Sequence, residues 1–401
     1  MEVDWPARMI QTTIKIFEIV AICGCISSSL YYMVCLFSAA SFLSQARVDE
    51  TVHATPPVSI LKPLKGADPE MYESFRSHCV QEYPEYEIIF GVSDAADPAV
   101  DFVRKLQQEF PDRAIRLVVC LEKLGTNVKV SNLEQIVKVA RYQYLLVNDS
   151  DIRVEPDYLQ RVIAPLSDGR VGMVTCLYRG AAAPTLGSRL EALGIGTDFC
   201  GGVLVARMLE RGLHFGLGST LAFRRSDLER IGGFRSIVDF LADDYELGRR
   251  IANLGLQVKL SDQIVETHLP AYDLRGFLSH QLRWARGVRD ARGAGYAGLV
   301  LTFGLMWALI ALGLAHAAAW SCAILVVVVA LRATVALVVG TVVLRDRQVF
   351  RDVWLLPLRD LLAVGVWAAS FAGHTVTWRG DRFVLKNGRL IRDDCHFHSR
   401  V

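Results

Sequence analysis

The chain has 401 residues, of which 52% are hydrophobic, and a formal net charge of +2. That length allows one large or two ordinary domains, and the charge balance gives no reason to expect a nucleic-acid partner. Nine cysteines are scattered without a C-x-x-C pair, so neither a zinc site nor a disulfide framework is indicated.

The apolar excess lies at the two ends. Residues 16–43 form a run far longer than a signal-peptide core, with no clear small-residue cleavage site after it. It reads as a retained transmembrane anchor within an N-terminal segment 1–48. After a polar linker, 44–57, strand and helix signals alternate: strand 58–61, helix 71–81, strand 86–92, helix 98–110, strand 115–119, helix 127–140 and strand 144–147. This alternation predicts an α/β domain over 49–270, with a mostly parallel sheet and helices on both faces. In such sheets ligands sit beyond the carboxyl ends of the strands. Asp94 and Asp149, each just after an apolar strand, are expected to point into that crevice.

Segment 271–295 reads as an amphipathic helix. Phe277, Leu278, Leu282 and Trp284 are its apolar part, and Arg275, Arg286, Arg289 and Arg292 its basic part. Basic residues beside aromatics fit an interfacial helix on an anionic leaflet; a solvated face of a core helix is the other reading. Within 296–378, the runs 297–318 and 320–344 read as spans, and Arg332 in the second is expected to face protein or water. A weaker run, 353–376, holds Pro357, Arg359 and Asp360 and reads as either a span or a re-entrant segment. The tail 379–401 is basic. Positive-inside logic puts the 49–270 domain in the cytoplasm.

Asp149-Ser150-Asp151 is a D-x-D. Two carboxylates at this spacing can hold Mg2+ or Mn2+ together with a nucleotide diphosphate; alone, the motif is as readily an Asx turn or helix cap. Asp94 can hydrogen-bond a uracil or ribose, or close a turn. Lys62 and Pro63 belong to Lys62-Pro63-Leu64-Lys65-Gly66, whose lysines can reach a phosphate. Lys129 and Asn132 open a helix whose N-terminal amides favour anionic or polar ligand atoms. Asp243-Asp244 are adjacent carboxylates, so one is expected to have a raised pKa suited to a general base; they also suit a helix start. In His280-Gln281-Leu282-Arg283-Trp284, Arg283 offers a fork of donors to a diphosphate, and Trp284 can stack on a sugar or anchor an interface. The Gly-rich stretch 170–270 is expected to be an acceptor-side subdomain with mobile loops.

Residues 59–69 (SILKPLKGADP), 94–101 (DAADPAVD) and 149–154 (DSDIRV), with Phe234 before Asp243-Asp244 and Arg283-Trp284 after it, resemble ceramide glucosyltransferases over roughly 16–390. The segment 356–362 (LPLRDLL) and Trp378-Arg379-Gly380 look more like a bacterial branch associated with hopanoid biosynthesis. That branch is thought to add N-acetylglucosamine to bacteriohopanetetrol. The resemblance implies a GT-A fold, a membrane-bound enzyme of the bacterial inner membrane, a UDP-sugar donor, a lipid acceptor and an inverting mechanism. It implies Asp94 at the nucleotide, Asp149 and Asp151 at the diphosphate and metal, Asp244 as the base, and Arg283 and Trp284 completing the site. His280 stands where the family has Gln or Arg. A ceramide acceptor with a glucose donor is the nearest alternative. A processive polysaccharide synthase is disfavoured by the small number of spans.

Overall fold

The computed structural model describes residues 5–46, 55–378 and 381–392. The main strands are β1 (Val58–Leu64), β2 (Tyr86–Val92), β3 (Ala114–Val119), β4 (Tyr144–Val147), β5 (Ile152–Arg153), β6 (Val171–Ala181), β7 (Leu221–Arg224) and β8 (Gln257–His268). They form one sheet in the order β3-β2-β1-β4-β7-β6-β8-β5. The β1–β2, β2–β3 and β1–β4 pairings are parallel, and β7 enters antiparallel between β4 and β6. Every residue of β1 and β2 is buried, which is why these strands are mostly apolar, Lys62 and the hydrogen-bonded pair Ser59 and Glu87 apart. The helix Ala99–Glu109 turns Ala99, Val100, Val103 and Leu106 inward, a helical stripe against the sheet.

The Gly-rich stretch differs from expectation. Rather than a loop-dominated subdomain, it supplies the two longest strands, β6 and β8, and a helical segment, Leu186–Leu209. That helix runs through a π-helical turn, Ile195–Phe199. Its glycines mark close approaches: a Cβ on Gly194 would meet Arg359 Nε at 2.5 Å.

Among the described residues, four helices are long and apolar enough to cross a membrane: Met9–Gln45, Leu186–Leu209, Ala319–Val343 and Arg347–Ser370. A fifth candidate, Gly293–Thr302 with Gly304–Leu314, is bent by 50°, so the expected span 297–318 is broken. One apolar cluster joins Tyr32, Cys35 and Phe42 of the first helix, Leu61 and Val147 of the sheet, Ile195 and Leu204, and Val335 and Val343. The sheet and the apolar helices are therefore packed as one body, with Leu186–Leu209 between them. Arg332 is buried, as its interrupted run predicts.

The weak run 353–376 is helical only through Ser370. It is followed by β9 (Thr375–Trp378), β10 (Asp381–Lys386) and β11 (Arg389–Arg392), a separate antiparallel sheet. Val376, Phe383, Leu385 and Leu390 form its core, against Leu241 and Trp378. The rest of the basic tail, residues 379–380 and 393–401, lies outside the described residues.

The basic helix also differs from expectation. It spans Leu274–Ala291 and is capped by Asp273, whose side chain accepts from Gly276 N. Two of its arginines serve the fold and not a leaflet. Arg286 donates to the carbonyls of Thr375 (2.6 Å) and Ala372 (3.0 Å), and the buried Arg289 donates to those of Ser370 and Gly373. Backbone carbonyls left unpaired where the apolar helix gives way to β9 need donors, and these guanidinium groups supply them. Arg292 pairs with Glu210 at 2.9 Å, while Arg275 is exposed.

Candidate active site

A cavity of about 710 Å³ opens beyond the carboxyl ends of β1, β4 and β8. Its wall includes Pro63, Lys129, Asn132, Asp149, Asp151, Asp243, Asp244, His280, Arg283 and Trp284. The structure thus gathers most of the sequence-predicted residues into one place, from segments more than a hundred positions apart.

Two predicted residues are not among those lining it. Lys62 is fully buried. Its Nζ donates to the backbone carbonyl of Asp149 at 3.1 Å, so it props the D-x-D turn from behind. Burial pulls its pKa down to about 7, against the opposing charges of Asp151 and Asp149. Lys65, the second lysine of that motif, does line the cavity. Asp94 is exposed and accepts from Ala96 N at 2.9 Å, an Asx turn rather than a side chain aimed at the crevice. The acid that organises the β1 loop is Asp97, which accepts from Gly66 N at 2.9–3.0 Å.

Asp149 follows the buried Asn148, whose side-chain amide donates to Tyr158 Oη (2.9 Å) and Ser219 O (2.7 Å). This buried network fixes the end of β4 and hence the first carboxylate. Asp151 accepts from Thr267 Oγ1 on β8. Burial, then the charge of Asp149, raises the pKa of Asp151 to about 6.

Lys129 ties the donor-side acids to the second pair. Its Nζ lies 2.8 Å from Asp149 Oδ1 and 2.9 Å from Asp243 Oδ2. Burial opposes its charge, but Asp149, Asp243 and Asp244 outweigh burial and hold its pKa above the usual lysine range. The lysine is positioned by its own helix start. Asn127 caps the helix by accepting from Val130 N and donates to Phe240 O at 2.7 Å. Asp239 accepts from Thr126 N and Oγ1 at 2.9 and 3.0 Å. The tail sheet braces the same segment, with Leu390 N donating to Asp239 O and Leu241 N to Gly388 O.

Asp243 and Asp244 begin the helix Asp243–Asn253, so the helix-start reading and the paired-acid reading hold together. Asp244 Oδ2 accepts from Gly218 N and Oδ1 from Tyr245 N, both at 2.8 Å. Burial, then the neighbouring Asp243 charge, raises the Asp244 pKa to about 6, against the opposing charge of Lys129. A Cβ on Gly218 would meet Asp149 Oδ2 at 2.9 Å and Asp244 Oδ2 at 3.3 Å. Gly218→Ala is therefore expected to displace both carboxylates by a few tenths of an ångström. The expected result is a roughly tenfold or greater loss of activity with the melting temperature little changed; unaltered kinetics would show that this spacing is not needed.

The opposite wall is aromatic. His280 stacks on Tyr272 with centroids 5.4 Å apart, Trp284 leans on His280 at 5.1 Å, and Phe199 meets Trp284 at 6.4 Å. His280 Nδ1 lies 2.9 Å from Oε1 of Glu191, a buried acid on Leu186–Leu209. Trp378, singled out in the sequence only as part of a resemblance, lines the cavity; so do Glu191, Tyr178, Gly218, Thr267 and the tail residues Asp381 and Phe383, which sequence reasoning missed. No local motif flags them; only the helical period of 186–209 was there to be found for Glu191.

Among the described residues no three His, Cys, Asp or Glu side chains form a ready metal cage. Asp149 and Asp151 nevertheless fit a divalent cation. The charge that raises Asp151 is repulsion a cation would relieve, and a hard cation with two protein carboxylates completes its shell with phosphate oxygens and water.

The chain matches the profile "Glycosyl transferase family 21" over residues 20–391. Ceramide glucosyltransferase 1 of Caenorhabditis elegans is 25% identical over 303 residues, covering 72% of this chain and 64% of that protein. Ceramide glucosyltransferase 3 of the same organism is 25% identical over 283 residues, covering 70% and 61%. The aligned chain thus spans under two thirds of these relatives' own length. Among solved structures, the mannosyltransferase PcManGT from Pyrobaculum calidifontis, in complex with GDP-Man and Mn2+, superposes with a TM-score of 0.52 at 19% identity. The match covers 88% of this chain and 99% of that one, and shows the α/β GT-A glycosyltransferase fold.

Proposed function

Since the chain belongs to glycosyl transferase family 21, we propose that it is a membrane-bound inverting glycosyltransferase that moves a sugar from a UDP-sugar to a lipid hydroxyl. The observation that carries this reading is Asp244: a carboxylate raised to about 6, held by the Gly218 amide, on the same cavity as the D-x-D and Arg283. Asp244 accepts the acceptor's hydroxyl proton as the oxygen attacks the anomeric carbon in line. The departing diphosphate meets Arg283 and Lys129. Asp149 and Asp151 hold Mg2+ or Mn2+, which supplies charge neutralisation at the leaving group. Pro63, Asn132, His280 and Trp284 shape the donor pocket. The catalytic domain faces the cytoplasm, at a bacterial inner membrane.

For the finer specificity, we favour N-acetylglucosamine and a hopanoid polyol such as bacteriohopanetetrol, on the likeness of 356–362 and Trp378-Arg379-Gly380. Glucose and ceramide form the second reading, supported by the names of the relatives. The deciding experiment is mass spectrometry of lipids formed by the purified protein. UDP-N-acetylglucosamine, UDP-glucose and UDP-galactose are offered with bacteriohopanetetrol, ceramide and diacylglycerol. One glycolipid is expected, lost with EDTA and restored by Mn2+ or Mg2+. Polymer as the product, or transfer that survives chelation, contradicts the proposal.

A further inference from the structure

The charges inside the candidate spans converge. Arg332 lies in Ala319–Val343, Arg359 and Asp360 in Arg347–Ser370, and Asp198 in Leu186–Leu209, each near the middle of its helix. Arg332 holds Asp360 with Nε at 3.0 Å and Nη2 at 2.9 Å. Its Nη2 also donates to Thr197 Oγ1 at 3.2 Å and lies 3.7 Å from Asp198. Arg359 Nη2 lies 3.9 Å from Asp198 Oδ2 and donates to Gln281 Oε1 at 3.2 Å. Gln281 belongs to the helix that carries His280, Arg283 and Trp284. A polar thread therefore runs from the middle of the apolar bundle to the active-site wall.

The members of this cluster are not equivalent. The Arg332, Arg359 and Asp360 side chains are 7%, 9% and 15% exposed, whereas Asp198 is 44% exposed. Arg332 and Asp360 satisfy one another as a bidentate pair. Asp198 has only long approaches to its two arginines. Arg359 keeps a buried Nε with no hydrogen-bond partner among the described residues. A half-open carboxylate among apolar spans is costly unless a polar group meets it. Asp198 also lies within the π turn whose Ile195 and Phe199 line the cavity. Such turns insert a residue that re-aims side chains, often at functional sites. One helical turn thus has the active-site cavity on one side and the charged cluster on the other.

We propose that Asp198, with Arg359 beside it, docks the hydroxyl-bearing head of the lipid acceptor as it passes from the bilayer to the cavity. The inference rests on the lipid-glycosylation reading above. A carboxylate accepts hydrogen bonds from hydroxyls, and the Arg359 guanidinium, packed against Gly194 and 3.9 Å from Asp198, keeps that carboxylate charged and in place. Two aspartates and two arginines sum to neutrality, which suits an uncharged polyhydroxyl or hydroxyl-amide head.

The test uses the full chain in phosphatidylcholine nanodiscs, with ceramide and bacteriohopanetetrol as probes. Native mass spectrometry counts retained probe, and UDP release is measured in parallel. Asp198→Asn is expected to lose at least tenfold in probe retention, with donor binding and melting temperature kept. Asp360→Asn is the folding control: it breaks the Arg332 pair but leaves the open carboxylate in place. Equal loss in both variants, unchanged retention in Asp198→Asn, or retention of neither probe by the wild type overturns the inference. Retention by the wild type without UDP release leaves this site standing and counts against the glycosyl-transfer reading.

Discussion

Asp244→Asn is expected to reduce transfer by roughly a hundred- to ten-thousandfold, the range over which a positioned general base contributes. The amide keeps the shape and its oxygen can still accept the 2.8 Å hydrogen bond from Gly218 N; only the bond from Tyr245 N to the other oxygen is lost, a local loss at a helix start that the fold and UDP binding should survive. What disappears is a group that takes a proton. The wild-type pH profile carries the same signature. An ordinary aspartate ionises near 3.8, but burial and Asp243 raise Asp244 to about 6. A base must be deprotonated to act. Activity should therefore be full well above pH 6 and fall about tenfold per unit below it. Measured at saturating Mn2+, which keeps Asp151 ionised, that limb reports Asp244. An acidic limb near 4, or substantial turnover by Asp244→Asn, would exclude Asp244 as the base.

The residues proposed to carry this chemistry were legible for uneven reasons. Asp149, Asp151 and Asp244 stand in short motifs at element boundaries, and strand ends are where an α/β sheet presents ligand groups. Local chemistry sufficed for them. Asp94 stands at a strand end too, yet its side chain closes a turn; the position is readable from sequence, the rotamer is not. Lys62 failed differently. A lysine after an apolar strand suggests an exposed phosphate ligand, but its stem is buried and its head finds the carbonyl of Asp149. The Leu186–Leu209 helix was hidden by its glycines, which signal loops locally but here let Arg359 pack against the backbone. The tail sheet was hidden because its partner, residues 239–241, lies well over a hundred positions earlier. Both misses are tertiary: the signal resides in what the segment packs against, which no window of sequence contains.

Lys129→Met is the second large expected effect, and it separates two roles for that residue. If the lysine were merely a phosphate contact, its loss would raise the KM for the donor and leave the pH profile alone. Its geometry says more. One ammonium sits within 3 Å of both Asp149 and Asp243, and its charge opposes the rise in the Asp244 pKa. Removing it leaves the carboxylates facing one another. The fold should lose about 1–3 kcal/mol, below the 3–5 kcal/mol typical when a fully buried pair is broken, because water reaches the 41%-exposed Asp149 side chain and screens it. The KM for the donor should rise, since the diphosphate loses a cation. The Mn2+ concentration for half-maximal activity should fall, since the metal no longer competes with an ammonium for Asp149. Finally, the acidic limb should move above 6, because the lysine's lowering influence on Asp244 is gone. The decisive pattern is the opposite movement of donor and metal dependence together with the upward limb. If Lys129→Met weakens donor and metal alike and leaves the limb in place, the lysine acts at the phosphate alone and does not set the ionisation of the base.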